Sequence, residues 1–401
     1  MAAYQGGFSM KFNLKKKYYY ICPYCFSKHN LSDVNFMCKN DPDICKNARE
    51  GILLKPDMGE SKNEIVDSMI CNECGERTHV KICPTCKEEL PFAIGQYDDL
   101  VFAVIGAKEA GKSHYIAVLI NKIMNEIGSA FNCSLSAVND ATINRYRNDF
   151  YNPVFKRNEL IRVTRSAKTD SSVKQPLIYN LTFKEQGIIG KFFKSRRISN
   201  VVTIAFFDTA GEDLDSEDTM KTENRYIYNS SGIIFLLDPL QLENVRERLP
   251  EGTALPEENT KIEDLLSRTA NLIRKANGIK VNKLIDIPVA VAFSKMDAVE
   301  SLIDPSSSIN YPSKHISKAC FDLSDFEDMN GTMESLVRSW GGENFAEQLS
   351  LNFKEYGYFG LTALGCDSRD GKITKLRPHR VEDPFLWLLY KYKLIRGEKR
   401  K

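Results

Sequence analysis

The chain has 401 residues, of which 42% are apolar and 27% charged, and a formal net charge of +2. These values fit a soluble globular protein of two or three domains with a core of ordinary size. They exclude strong electrostatic steering toward nucleic acid or an anionic membrane. No apolar run reaches the length of a bilayer span. Met1 to Leu14 holds no signal-peptide apolar region, so the expected location is cytoplasmic.

In chain order, residues 1–20 form a basic, aromatic arm in which Lys15, Lys16 and Lys17 precede Tyr18, Tyr19 and Tyr20. Residues 21–90 hold eight of the eleven cysteines: Cys22, Cys25, Cys38, Cys45, Cys71, Cys74, Cys83 and Cys86. Close pairs without a secretion signal favour metal over disulfides. Cys133, Cys320 and Cys366 are scattered and read as small buried hydrophobes. Residues 91–99 read as a connector.

From Leu100 short apolar runs alternate with amphipathic segments up to about residue 394, ahead of a basic tail over 395–401. Strands are predicted at Leu100 to Ile105, Leu177 to Phe183, Val201 to Phe207, Ile233 to Leu237, Pro288 to Phe293 and Tyr358 to Leu361. The second and third of these read as a hairpin. Helices are predicted at Ser113 to Ile127, at Lys261 to Ala276 before Asn277-Gly278, and from Asp383-Pro384, where proline suits the first helical position. Such alternation implies an α/β fold with a mostly parallel sheet covered by helices on both faces.

Gly106-Ala107-Lys108-Glu109-Ala110-Gly111-Lys112-Ser113 satisfies G-x-x-x-x-G-K-S between a predicted strand and a predicted helix. Glycines let backbone amides turn inward around a phosphate, and the helix N-terminus favours the anion. The loop residues and the following His114 are therefore the candidate phosphate contacts, with Lys112 at the β/γ oxygens and Ser113 on Mg²⁺. The Val201 strand runs into Asp208-Thr209-Ala210-Gly211. Asp208 stands where a second Mg²⁺ contact belongs, and Gly211 can offer its amide to a γ-phosphate. The Pro288 strand ends in Ser294-Lys295-Met296-Asp297, where a carboxylate can accept both N–H groups of a guanine edge. The Tyr358 strand leads to Thr362-Ala363-Leu364-Gly365, a turn whose amide can meet the base O6.

These four elements, in this order and each at a strand end, resemble the Ras-like and translation-factor P-loop GTPases. Phe102 to Ile120, Ile233 to Leu240 and Pro384 to Leu389 resemble more narrowly the "double-GTPase" group of bacterial conflict and phage-defence operons, whose members often carry cysteine-rich N-terminal modules. The resemblance implies GTP/GDP with Mg²⁺, hydrolysis, and protein partners, either operon-encoded components or further copies of the chain. Three departures bear on it. Ser294 replaces the usual Asn or Thr and is expected to loosen the base loop. Glu212 occupies the place of a water-orienting glutamine and cannot donate a hydrogen bond when ionised, so hydrolysis is expected to be slow or partner-activated. The switch threonine is Thr164 or Thr169, with Thr164 preferred.

Cys71-x-x-Cys74 followed by Cys83-x-x-Cys86 reads as a zinc ribbon, and the other four cysteines can complete a second S₄ site. The pairs can also interleave, Cys22/Cys25 with Cys71/Cys74 and Cys38/Cys45 with Cys83/Cys86, so one or two Zn²⁺ are expected. Residues 1–99 hold 13 Lys/Arg and 14 Asp/Glu, a balance that argues against nucleic acid and for protein docking or plain structure. Three functions remain open at this point. They are a Mg²⁺-dependent GTPase switch, a nucleotide-binding assembly component with little hydrolysis, and a zinc-ribbon nucleic-acid factor carrying an ATPase.

Overall fold

The computed structural model describes residues 19–56, 66–95, 98–161, 176–184, 198–207, 225–251, 255–257, 261–365, 368–369 and 371–399. The chain divides into two compact units, Met1–Cys22 with Ser27–Gln96, and Pro23–Phe26 with Tyr97–Lys401. The first is built from short strands. Asn35–Met37 pairs antiparallel with Leu53–Leu54 and with Lys81–Ile82, while Tyr19–Ile21 pairs with Lys28–Asn30 and Met69–Ile70 with Arg77–Thr78. Elements this small bury little apolar surface, so a unit of this kind needs another source of stability.

The second unit is an α/β domain. Its strands are β1 (Asp98–Ile105), β2 (Cys133–Ala137), β3 (Leu177–Lys184), β4 (Ile198–Phe207), β5 (Gly232–Leu237), β6 (Val289–Phe293) and β7 (Tyr356–Gly360). They form one sheet in the order β7-β6-β5-β1-β4-β3-β2. β4, β1, β5, β6 and β7 run parallel, and the β3 pairings to β4 and β2 are antiparallel. β3 and β4 thus pair as the sequence predicts. β2 is a finding beyond it: Cys133-Ser134-Leu135-Ser136-Ala137 alternates between inward and solvent-facing residues, as an edge strand does.

The parallel strands are buried on both sides, and every residue of β5 and β6 is buried. On one face, Leu100, Phe102 and Val104 of β1 pack with helix α1 (Lys112–Lys122), while Phe385 and Trp387 come from helix α5 (Asp383–Lys391). The opposite face takes Phe345 against Phe235 and Trp340 against Phe293. Helix α2 (Ile262–Asn277) ends where Gly278 turns left-handed, one residue from the predicted end. Two helices absent from the sequence reading, α3 (Leu323–Ser339) and α4 (Glu343–Asn352), separate β6 from β7. The result is the α/β arrangement, a mostly parallel sheet covered by helices on both faces, that the alternating pattern implies. Among the described residues no helix is long and apolar enough to cross a membrane.

The start of α5 is fixed by a buried ionic cluster. The Arg380 guanidinium donates to both oxygens of Asp325, on α3, and to Asp383 Oδ2 at 2.7 Å. Burial alone would raise the Asp325 carboxyl, but Arg380 outweighs it and holds the group below the ordinary 3.8. A depressed carboxylate contributes stability that is complete above its unfolded pKa and is lost as pH falls through the lower folded value. Arg380→Ala strands two buried carboxylates and should cost about 3–5 kcal/mol. Urea unfolding at neutral pH measures this; a loss of under ~1 kcal/mol, the scale of exposed pairs, would show that the cluster does not anchor α5.

Candidate functional site

The parallel strands bring their C-terminal ends to one edge of the sheet. Ile105, Leu237, Phe293 and Gly360 all end there, and so does Phe207 of β4, just before Asp208. The chain first builds on one side of β1 and then on the other, so the edge next to β1 is the topological switch point, where α/β sheets bind ligands.

Gly106 leaves β1 so close to β5 that an added Cβ would lie 2.3 Å from the Leu236 carbonyl oxygen. Gly111 turns with φ +84° and caps α1, aligning the Lys112, Ser113 and His114 amides along the first turn. The Lys112 side chain is buried and folds back over the loop, its Nζ donating to the carbonyls of Gly106 and Ala107 at 2.9 Å each. Ala110 is buried, while Lys108 and Ser113 are half-buried and Glu109 is exposed.

The loop after β6, Ser294 to Asp297, is tied to the Gly106–Ser113 loop. Ser294 is buried, and its hydroxyl lies 3.0 Å from both the Ala110 and Leu237 carbonyl oxygens. Serine is short, but β6 ends near enough for its hydroxyl to bridge the two loops. Lys295, at φ +53°, reaches the buried Asp238 at the end of β5, Nζ to Oδ2 2.6 Å. Asp238 is held in turn by the Leu240 N–H. Asp238 is assigned nothing from the sequence; a carboxylate directly after the apolar Ile233–Leu237 run was the available signal. The Thr362 hydroxyl donates to Asp297 Oδ1 at 3.2 Å, orienting the carboxylate from the neighbouring loop. Ala363 is buried and Leu364 half-buried beside it. Asp208, Gly211, Glu212, Thr164 and Thr169 lie outside the described residues.

The cysteines assemble in a third arrangement, different from both pairings considered from sequence. Cys22, Cys25, Cys83 and Cys86 form one group and Cys38, Cys45, Cys71 and Cys74 another, so the inner pairs nest within the outer ones. Sulfur separations are 3.7 Å for Cys22–Cys86, Cys38–Cys74 and Cys45–Cys71, and 3.8 Å for Cys45–Cys38. A tetrahedron with Zn–S bonds of about 2.3 Å has edges of roughly 3.8 Å, so both donor sets fit zinc. Three knuckles repeat one turn, with Cys22, Cys71 and Cys83 donating N–H to Ser27, Glu76 and Glu88 respectively. Burial works to raise the Cys71 thiol, but the Cys74 and Glu73 amides and the Asn47 side chain bring it down to about 6. His29 stands 3.6 Å from Cys83 Sγ and His79 meets the Asp67 carbonyl; neither replaces a cysteine.

His315, Asp325 and Asp383 also cluster, but they do not suit a metal. His315 Nδ1 accepts the Asp322 N–H, so the neutral ring carries its proton on Nε2, the atom facing the two carboxylates. Metal-bound imidazoles show the reverse arrangement, donating from the remote nitrogen.

No family model matches the chain. It is 25% identical over 329 residues to a Mycolicibacterium smegmatis protein named "Putative ESX-1 scaffolding and assembly protein SaeC", across 77% of this chain and 79% of that one. Among solved structures it is similar to the Arl6 BBS3 small GTPase of Trypanosoma brucei with bound GppNp. That likeness is 12% in identity, spans 74% of this chain and 99% of that one, and has a TM-score of 0.29.

The nesting makes a countable prediction. Replacing Cys22/Cys25 and Cys83/Cys86 together by serine should remove one zinc per chain by elemental analysis. Replacing Cys22/Cys25 and Cys71/Cys74 together should remove two. Equal losses from the two quadruple variants would refute the nested pairing.

Proposed function

We propose that the chain is a Mg²⁺-dependent guanine-nucleotide switch that hydrolyses GTP and acts with protein partners. The observation that carries this reading is the Ser294 bridge, which holds the base loop on the phosphate loop at the switch-point edge. In this reading the amides from Gly106 to His114 surround the phosphates. Lys112 exchanges its carbonyl contacts for phosphate oxygens. Ser113 and Asp208 would hold Mg²⁺, which when bound neutralises phosphate charge. Asp297, oriented by Thr362, accepts from the N1–H and N2 amine of guanine, while the Lys295 stem lies along the base and the turn at Thr362, Ala363 and Leu364 meets O6. Gly211 and Thr164 contact the γ-phosphate end, and Glu212 accepts from the attacking water.

A second reading has its own support. The relative in M. smegmatis is named for scaffolding and assembly, and Glu212 is a poor water-orienting donor. Nucleotide would then serve assembly with little turnover. The zinc-bearing unit is proposed as a protein-docking or purely structural element. The phage-defence setting rests on the sequence resemblance alone.

Base identity decides whether a guanine switch is the right reading. Losing hydrogen bonds to a charged group costs about 1.5–3 kcal/mol each, so GTP should bind roughly a hundred- to ten-thousandfold more tightly than ATP. Asp297→Asn presents one acceptor and one donor, which suit xanthine's N1–H and C2 carbonyl. That variant should weaken for GTP and strengthen for XTP in titration calorimetry. Lys112→Ala and Ser113→Ala should abolish tight GTP binding with the fold intact. Equal ATP and GTP affinities, or an Asp297→Asn variant with unchanged preference, would refute guanine recognition. Multiple-turnover assays then separate the two readings: measurable GTP turnover, alone or with a partner, supports the switch.

A further inference from the structure

The signature of the phosphate loop does not specify the residue after Ser113. Here it is histidine, on the first turn of α1, and its Nε2 accepts the Ile161 backbone N–H at 3.0 Å. Burial, and after it the Lys295 charge, pushes this imidazole down to about 4. The ring is therefore neutral near pH 7 and its acceptor lone pair is available.

Ile161 closes a short strap, Asn158–Ile161, whose first residue turns left-handed at φ +53°. Two further backbone hydrogen bonds tie the strap to a hairpin, Ser368–Arg369 paired with Lys372–Ile373, while the Glu159 N–H returns to the Pro153 carbonyl at 2.8 Å. Leu160 donates its N–H to Gly371, Ile373 donates to Asn158 at 2.7 Å, and Glu159 lies opposite Lys372. The chain on each side of this hairpin is the base-side loop. Arg377 donates to the Leu364 carbonyl at 2.7 Å, and Thr362 and His379 exchange both backbone bonds. One strap is thus held at Ile161 by the phosphate-loop helix and along Asn158–Leu160 by the hairpin that grows from the base loop.

We propose that His114 is a positioning residue that staples this strap to the phosphate loop, so that the phosphate and base ends of the site are held as one frame. The inference rests on the nucleotide reading and adds a residue to it. The geometry needs an acceptor at Nε2 and nothing else of the ring. Glutamine can supply a carbonyl oxygen at similar reach; leucine fills the space and supplies no acceptor.

The test compares wild type, His114→Leu and His114→Gln, with His114→Ala as a second acceptor-free variant if the leucine variant is insoluble. Release of fluorescent GDP and of a non-hydrolysable GTP analogue is followed by stopped flow, and amide exchange is measured over residues 156–161. Loss of the acceptor should speed release of both nucleotides about tenfold, equivalent to 1.4 kcal/mol, and should deprotect the strap. Glutamine should restore most of both. Wild-type protein that binds nucleotide, with release and exchange unchanged in the acceptor-free variants, overturns this inference alone. So does a lowered melting temperature with unchanged release. Wild-type protein that binds no nucleotide overturns the nucleotide reading, and the staple's role with it.

Discussion

Parallel pairing of β1 with β4 on one side and β5 on the other is the constraint from which the site follows. It places the ends of five strands along one edge, and a parallel sheet must return each connection through a helix on a face. The two faces are then filled by helices, and the strands become continuous apolar runs with no polar side. The edge is the place left for chemistry. Crowding there explains Gly106, whose Cα sits against the Leu236 carbonyl with no room for a side chain. It also explains how a residue as short as Ser294 spans from β6 to the phosphate loop.

Much of this was legible in the residues. Ile233-Ile234-Phe235-Leu236-Leu237 has no polar interruption, so it could only be a strand buried on both faces. Gly106 to Ser113 fixed the loop because strand, glycines and helix have to follow one another for the amides to converge. β2 was missed because its serines face solvent and its run is short, so its apolar content does not stand out. The helices α3 and α4 were missed for a related reason, since polar and charged residues fill their outer faces. Pairing of the cysteine knuckles was beyond reach. Spacing fixes which two thiolates share a turn, and the chain between turns decides which turns meet. The links His114–Ile161 and Lys295–Asp238 are tertiary, joining residues 47 and 57 positions apart.

Charge within the site is arranged locally, in keeping with a net charge of only +2. Lys112 and Lys295 each have specific partners: the Gly106 and Ala107 carbonyls accept from the first, and the buried Asp238 carboxylate pairs with the second. An ammonium lacking such a partner would bear its full desolvation cost at a half-enclosed edge. Burial chiefly keeps His114 neutral, with Lys295 a lesser contributor, and a neutral imidazole can accept where an imidazolium cannot.

Three of the nine non-glycine residues with left-handed φ among the described residues lie along the same edge. Glu109, Asn158 and Lys295 all adopt left-handed φ without being glycine, in the phosphate loop, at the start of the strap and in the base loop. Each such residue costs on the order of 1–3 kcal/mol and persists only where its surroundings over-determine it. The surroundings are visible here. Ser294 and Asp238 flank Lys295, hairpin bonds from Ile373 and Gly371 grip the strap, and Gly111 and the Lys112 amine close the loop around Glu109. A loop free to relax would not keep these conformations, so the hydrogen bonds at the edge do more than connect elements. They hold three backbone segments of the switch-point edge in conformations that none of them would keep alone.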